Sequence, residues 1–266
     1  MVSVFAGIGR GALALTEFLG GISKLFFSTN YWTFVGPFRG KGLRWSATLR
    51  QMVVVGFNAV PIVSLISFFI GVIIALQGAY SLKKFGAINF VVDMVAVTIT
   101  RELGPLLTAI IVIGRSGSAF AAEIGTMKIG EEVDALETMG LDPIRFLAVP
   151  KYLAMLVMMP CLTTVADTAG VLGGALFAIT NIGMSLQNYL VRTVDSLMMR
   201  DIITGLIKSL VFAVIITKIG CYEGFSVKGG AEGVGRSTTA SVVKSIFSII
   251  AADMVFTAIF YYSSSD

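Results

Sequence analysis

Five ionisable residues interrupt long apolar runs of this 266-residue sequence: Arg101, Glu102, Asp167, Lys208 and Asp253. A charge at the centre of a lipid bilayer costs about 3 kcal/mol unless it is paired or faces water, so such residues are functional candidates by default. Arg101 and Glu102 are the most informative, because a guanidinium can grip a phosphate through paired hydrogen bonds and a carboxylate suits an ammonium group. Together they could hold a ligand that carries both charges.

The sequence around this pair, TRELGP, predicts an irregular helix. Pro105 cannot donate a backbone hydrogen bond, and its ring crowds the carbonyl group of Arg101. Freed backbone groups at membrane depth are tolerated only where protein or a wet cavity satisfies them, so we expect a kink or break that lines a cavity. Adjacent helical residues diverge, so Arg101 and Glu102 do not form a simple pair. The alternative is two structural charges satisfied by neighbouring helices.

Other chemistry is excluded by composition. The chain has no histidine and two cysteines, Cys161 and Cys221, both in or beside apolar runs, so neither histidine-based catalysis nor a zinc site is expected. Hydrophobic residues make up 56% of the chain and charged residues 14%, and the mean hydropathy is +0.87. A chain of this size cannot hide so many apolar side chains in its own core, so lipid is the expected solvent. The fold class predicted is an all-α, polytopic membrane protein.

Apolar runs of about 20 residues predict five transmembrane spans. These are Met52–Gln77, Val91–Ala119, Leu153–Ile179, Ile202–Cys221 and Val242–Tyr262. Most basic residues outside them fall on one side, beginning with Arg39, Lys41, Arg44 and Arg50, whereas Lys83, Lys84, Arg192 and Arg200 fall on the other. By the positive-inside rule, the N-terminus is cytoplasmic and the C-terminus lies outside the cell membrane.

Residues 1–28 predict an amphipathic helix. Arg10, Glu17 and Lys24 follow one another at intervals of seven and share a narrow polar stripe. The opposite face carries Phe5, Ile8, Leu15, Leu19, Ile22 and Phe26. Such a helix lies in the bilayer interface rather than crossing it. The alternative is a soluble helix packed on a partner.

A second short helix is predicted from Lys128 to Gly140, within the acidic segment from Glu123 to Pro143. It is too short to span a membrane, and Gly140 and Pro143 are typical stop signals. Ile129, Val133 and Leu136 lie along one face. Because anionic lipids repel an acidic helix, we expect its exposed face to contact a protein partner. A merely solvated charged turn is the alternative.

Three motifs, RELGP, GRSGSAFAAEIGTM and EEVDALETMGLDP, resemble the MlaE/YrbE permease family, as do the later GVGRSTTASVV and Asp253. The resemblance covers nearly the whole chain and implies one membrane permease domain, 1–266. It implies the membrane subunit of a bacterial ATP-binding-cassette transporter in the inner membrane, which moves phospholipid between inner and outer membranes and maintains outer-membrane lipid asymmetry.

The resemblance also implies partners. The permease is expected to form a homodimer and to work with MlaF-like cytoplasmic ATPase subunits, an MlaB-like STAS protein and a hexameric MlaD-like MCE-domain protein. It is not itself an enzyme and holds no cofactor, since ATP and magnesium reside on the partner ATPase. No nucleic-acid partner is expected.

Site residues follow from the same resemblance. Arg101 and Glu102 form the polar end of a lipid cavity at the dimer centre, and Ser81, Leu82 and Phe85 line the acyl-chain path. The segment from Glu123 to Pro143 becomes a coupling helix that receives motion from the ATPase. Its named residues are Glu123, Lys128, Ile129, Glu132, Val133, Leu136, Glu137 and Met139.

Two other functions stay open. In a secondary carrier, Glu102, Asp167 and Asp253 would relay protons or bind ions. The absence of an inverted repeat and the acidic coupling segment both weigh against that class. A passive scaffold that anchors the MCE ring would leave the irregular second span unexplained.

Overall fold

The computed structural model describes residues 16, 18, 20–37 and 42–262. Within these ranges all regular structure is helical, and no strand occurs. Five helical segments of this part are long and apolar enough to cross a membrane. Spans 1 to 5 are Trp45–Lys83, Ile88–Ile129, Ile144–Ile182, Met199–Phe225 and Gly230–Phe260. The predicted fold class, an all-α membrane protein with about five transmembrane helices, is thereby confirmed.

The α-helices are numbered in chain order. They are α1 (20–30), α2 (Trp45–Val55), α3 (Val60–Lys83), α4 (Val91–Thr98), α5 (Gly104–Val112), α6 (Ser118–Ile129), α7 (Glu132–Thr138), α8 (Val149–Phe177), α9 (Leu186–Ser196), α10 (Met199–Phe225) and α11 (Gly230–Tyr262). Short π-helical turns join several of them, at Tyr31–Val35, Ile99–Leu103, Ile113–Gly117, Ile144–Ala148 and Ala178–Ile182.

The first three spans are longer than their apolar cores. At 1.5 Å per residue, the 39 residues of span 1 reach about 58 Å, whereas a bilayer core is about 30 Å thick. The extra turns project on both sides. One end of the bundle carries α7 and the other carries α9, and we call these the α7 end and the α9 end.

The third span lies at the centre of the bundle, where α8 contacts α2, α3, α5 and α10. Its closest neighbour is α3. A methyl group placed on Gly71 would overlap the carbonyl group of Gly170, and one placed on Gly173 would overlap that of Phe68. The two backbones therefore approach as closely as glycine permits.

The second span is irregular at TRELGP, as predicted, but it is not broken there. The helix continues from Val91 to Ile129, and the TRELGP motif forms a π-helical turn followed directly by α5, with Pro105 in its first turn. The Gly104 amide donates to the carbonyl oxygen of Ile99, five residues back. One extra residue in the turn thus makes room for the proline without interrupting the helix.

Most of the predicted interfacial helix lies outside the described residues, including Phe5, Ile8, Arg10, Leu15, Glu17 and Leu19. Its described part does not end at residue 28 but continues through α1 into the Tyr31–Val35 turn. Leu25 packs against Ile124, Ala148 and Cys221, so this part rests on the bundle. Lys24 is exposed, as predicted for the polar stripe.

Candidate functional site

Four polar side chains from three spans meet inside the bundle. The Lys208 ammonium lies 2.6 Å from Glu102 Oε2 and 2.8 Å from Asp253 Oδ1. It also donates to the Thr257 hydroxyl at 2.9 Å, and that hydroxyl donates to Glu102 Oε1 at 3.0 Å. We call Glu102, Lys208, Asp253 and Thr257 the charge cluster. Within this cluster one ammonium group lies between two carboxylates, so each charge has an opposite charge beside it, as burial among apolar side chains requires.

Each member of the charge cluster is placed by the element that carries it. Glu102 belongs to the π-helical turn of span 2, Lys208 to α10, and Asp253 and Thr257 to α11. The last two are four residues apart and so share one helix face. A π-helical turn rotates the following residues relative to an α-helix, and such turns occur frequently at functional sites.

Arg101 points to a different partner. Its guanidinium lies 3.9 Å from Asp201, whose other carboxylate oxygen accepts the backbone amide of Met198 at the start of α10. The predicted divergence of Arg101 and Glu102 is therefore confirmed. The two charges nevertheless belong to one region, because Asp201 and Lys208 are two helical turns apart on α10.

The charge cluster is buried at one side and open at the other. The Lys208 side chain is 1% exposed, whereas that of Glu102 is 32% exposed and Thr257 lies on the protein surface. The Arg101 side chain is also accessible. Polar groups thus reach the surface beside α11 within an otherwise apolar wall, where a ligand could contact them.

Asp167 lies apart from the charge cluster. Its Oδ1 packs against Gly104, where a methyl group would overlap it, and none of the described residues offers this oxygen a hydrogen bond. Gly104 follows Glu102 by two residues, so the two positions face in different directions around the helix. The structure therefore does not bring Asp167 together with Glu102 and Asp253.

Ser81, Leu82 and Phe85 lie at the α9 end of span 1. Leu82 packs against the cluster of Ala79, Val91 and Phe177, whereas Ser81 is exposed and Phe85 is 82% exposed. Ser81 also borders a surface cavity of about 400 Å³ with Leu76 and Tyr80. These residues present an apolar surface rather than a closed tunnel within one chain.

The predicted helix from Lys128 to Gly140 is divided. α6 ends at Ile129, Glu131 adopts a left-handed conformation with φ of 57°, and α7 begins at Glu132. Its end was predicted correctly. Gly140 has φ of 73°, and its amide and that of Leu141 donate to the carbonyl oxygens of Glu137 and Leu136, which closes the helix in a Schellman motif.

The apolar face of this segment does not face a partner. Val133 is 3% exposed and Leu136 is 7% exposed, because both pack against Leu147 and the neighbouring Phe225 of the same chain. Ile129, Val133 and Leu136 therefore do not share the one helix face that was expected of them. Two of the three anchor α7 to its own bundle, and Ile129 alone is exposed.

The segment from Glu123 to Pro143, which the resemblance implies to be a coupling helix, is called the coupling segment here. Its exposed side chains are mostly acidic, with a few apolar ones among them. They include Glu123, Ile129, Glu132, Glu137, Met139 and Leu141. Lys128 pairs with Asp134 at 2.6 Å, and Glu123 pairs with the buried Lys151 at 2.7 Å. A cavity of about 690 Å³ separates α7 from α1 and the end of α10. The exposed surface of this segment therefore borders a cavity and is accessible to a protein partner.

The segment after α7 is fastened to residues near the N-terminus. The Trp32 indole donates to Asp142 at 2.8 Å, and the Arg44 guanidinium donates to the Phe146 carbonyl oxygen while stacking on that ring at 3.5 Å. Arg145 donates back to the Gly42 carbonyl oxygen at 3.0 Å. Movement of α7 would therefore be transmitted to the segment that precedes span 1.

Two residues of the candidate site were missed in the sequence. Thr257 is neutral and therefore gave no charge signal, although its position four residues after Asp253 indicates a shared face. Asp201 precedes the apolar run that begins at Ile202, so by sequence it resembles an ordinary charged residue at the end of a span. Its spacing of seven residues from Lys208 was the available signal.

Comparison with known proteins assigns the family. The family model described as Permease MlaE matches residues 48–259. A probable ABC transporter permease of Rickettsia bellii is 36% identical over 261 residues, covering 98% of this chain and 99% of its own. One of Rickettsia typhi is 41% identical over 216 residues, covering 81% and 83%. The intermembrane phospholipid transport system permease protein MlaE of Haemophilus influenzae is 35% identical over 214 residues, covering 80% and 82%. The chain therefore belongs to the MlaE family of ABC transporter permeases.

Proposed function

We propose that this permease binds phospholipid at the charge cluster and moves it between the inner and outer membranes, which maintains outer-membrane lipid asymmetry. The observation that carries the proposal is a set of paired charges in an apolar wall, of which Glu102, Thr257 and Arg101 reach the surface. The name of the Haemophilus influenzae relative supports phospholipid as the substrate class.

The charge balance of this region favours a zwitterionic head group. Counted as ionised, the charge cluster holds two carboxylates, on Glu102 and Asp253, against one ammonium group on Lys208, which leaves one carboxylate in excess. An ammonium group would relieve that excess beside Glu102, while the phosphate would contact Arg101 through charge-assisted hydrogen bonds. The acyl chains would extend along span 1 past Leu82 and Phe85, with Ser81 at the edge of the path.

The proposed assembly is a homodimer in the inner membrane, with the α7 end in the cytoplasm, the N-terminus on that side and the C-terminus in the periplasm. A MlaF-like ATPase, which holds ATP and magnesium, would dock on the exposed surface of the coupling segment. An MlaB-like STAS protein would sit on the ATPase, and a hexameric MlaD-like MCE protein would sit at the α9 end. The basic residues Arg44 and Arg145 at the α7 end support this orientation.

The proposal is tested by the lipid that purifies with the complex. We expect Arg101→Ala and Glu102→Gln to reduce bound phospholipid and to abolish the effect of added phospholipid on ATP hydrolysis. Asp167→Asn is the matched control, because it neutralises an intramembrane carboxylate outside the charge cluster. It should leave both measurements unchanged.

The other two functions predict different results for the same variants when phospholipid transport is measured as well. In an ion-coupled carrier, Asp167→Asn would also abolish transport, and transport would not depend on ATP. A passive scaffold would hydrolyse ATP at a rate that phospholipid does not alter. If both cluster variants assemble, retain lipid and transport normally, the charges are structural and the proposal is wrong.

A further inference from the structure

The helix α9 connects spans 3 and 4 along the chain and packs on the surface of spans 2 and 3, where two contacts hold it. The Tyr189 hydroxyl donates to the Val171 carbonyl oxygen at 2.9 Å, and Arg192 makes two hydrogen bonds of 2.8 Å with the carboxylate of Asp93. Burial raises the pKa of Tyr189 to about 12, so its phenol stays a neutral donor at physiological pH. The helix is therefore a fixed element and not a mobile connection.

The side chains of α9 divide into three faces. Tyr189 and Thr193 are buried against the bundle. Leu186, Leu190 and Val194 follow one another at four-residue intervals and are all exposed, Val194 by 71%. Asn188 and Asp195 form an exposed polar face on the far side. The exposed part of the helix is thus apolar on one side, apart from Gln187 in the first turn, and polar on the opposite side.

The uncovered apolar face continues onto span 3. α9 covers Ala175 and Ala178 of that span, and the residues that follow them, Leu176 and Ile179, are exposed. Val191 and Met198 are exposed apolar side chains as well. Since the outward surface of a span is covered by acyl chains, the bordering face of α9 reaches the same environment.

We propose that α9 lies in the leaflet at the α9 end of the bundle, with Leu186, Leu190 and Val194 among the acyl chains and Asn188 and Asp195 toward the aqueous phase. An amphipathic helix of this kind binds the bilayer interface through its apolar face. Acyl chains are the occupant that also covers the exposed residues of span 3, which a protein docked on α9 alone would leave bare.

If α9 lies in the leaflet, the depth of the charge cluster below the bilayer surface can be derived from the position of α9. Arg192 of α9 contacts Asp93, and Arg101 follows Asp93 by eight residues, or about 12 Å along the helix axis. The backbone at Arg101 and Glu102 would therefore lie below the head-group layer, whereas the Arg101 guanidinium reaches back to Asp201 at the start of α10. A head group that reached Glu102 would have left that layer, so binding there would begin the extraction of a lipid from the leaflet. The position of α9 itself is independent of which ligand the cluster takes.

The experiment is spin-label accessibility of the full chain, without partner proteins, in phosphatidylcholine nanodiscs. Single cysteines replace Leu190 or Val194 on the apolar face and Asn188 or Asp195 on the polar face. The background carries Cys161→Ala, since Cys161 is exposed, whereas the buried Cys221 is left in place. The unsubstituted background measures any labelling of Cys221. All four substituted side chains are exposed, so the labels need not disturb packing.

We expect labels at 190 and 194 to collide with oxygen and to be shielded from a water-soluble nickel chelate. Labels at 188 and 195 should show the reverse. If all four positions are equally accessible to nickel, the helix stands in water and the proposal is wrong. If 190 and 194 are shielded from both reagents, protein covers the face, most simply a second copy of the chain, and the proposal is equally overturned.

Discussion

Lys208 holds the charge cluster together at the level of single residues. Its ammonium contacts both Glu102 and Asp253, and it is the most deeply buried of the three groups. Loss of Lys208 would leave both carboxylates without an opposite charge, because Lys208 is the single cation of the charge cluster. The folded state would then bear the desolvation of two carboxylates with no opposite charge beside them, and only the Thr257 hydroxyl would still donate to Glu102.

We therefore expect Lys208→Met to lower the free energy of unfolding by about 3–5 kcal/mol, the usual effect of removing one partner from a buried ion pair. Thermal unfolding of the purified permease in nanodiscs measures the loss. Lys83→Met is the control, since Lys83 is exposed at the end of α3. Equal midpoints for the two variants would show that the cluster is not a stabilising ion pair.

At the scale of elements, the contact between α3 and α8 depends on glycine. Gly71 faces the carbonyl group of Gly170 so closely that no side chain fits between the two backbones. Neither backbone can move without shifting a whole helix, so an added methyl group must displace one of them.

Gly71→Ala should therefore destabilise the protein by about 1–3 kcal/mol, the range for overpacking a well-packed core. Gly114→Ala is a matched control, because a methyl group at Gly114 meets no other atom within 4 Å. Unfolding midpoints of the two variants in the same nanodiscs make the comparison. A control as unstable as Gly71→Ala would contradict the packing argument.

α7 separates two roles that the sequence had merged. Leu136 is buried and anchors the helix to its own bundle, whereas Met139 is 65% exposed at the end of the same helix. Only the exposed residue is available to a partner. The buried one fixes where that residue is presented.

We expect Met139→Glu to weaken binding of the ATPase while leaving the thermal stability of the permease unchanged. Leu136→Asp should instead lower the stability of the isolated permease by at least about 2 kcal/mol, since it removes a buried side chain. Co-purification of the ATPase and thermal unfolding distinguish the two effects. A Met139→Glu variant that binds the ATPase normally would remove the coupling segment from the interface.

At the scale of the whole molecule, α11 is the least buried span. Phe247, Ile250 and Met254 form an exposed apolar face on it, beside the open side of the charge cluster at Thr257. A second copy packed on this face would enclose the cluster between two chains. That arrangement would turn an exposed polar wall into a cavity.

Cross-linking of single cysteines tests this arrangement in membranes. Met254→Cys should give a covalent dimer on oxidation, because a two-fold axis beside α11 brings the same residue of both chains together. Val157→Cys on α8 is the control, being exposed on another face of the bundle. A dimer formed through the control position alone would place the interface elsewhere.

Local signals along the chain were sufficient for the number of spans, the α-helical class, the end of α7 at Gly140 and the family motifs. Each depends on neighbours in sequence: hydropathy summed over a window, a glycine that accepts positive φ, or a string of specific residues. The candidate list also contained Glu102, Lys208 and Asp253, because a charge in an apolar run is visible without a structure.

The sequence did not indicate which side chains contact one another across different helices. Glu102 meets Lys208, 106 residues away, rather than Asp167, and Leu136 turns inward while Met139 turns outward. Helices with apolar residues on every side carry no sequence signal for which face meets a neighbour, so rotation and depth follow from packing. The π-helical turn at Ile99–Leu103 was not predicted either: the Gly104 amide donates to the Ile99 carbonyl oxygen, so the helix accommodates Pro105 through one extra residue instead of breaking.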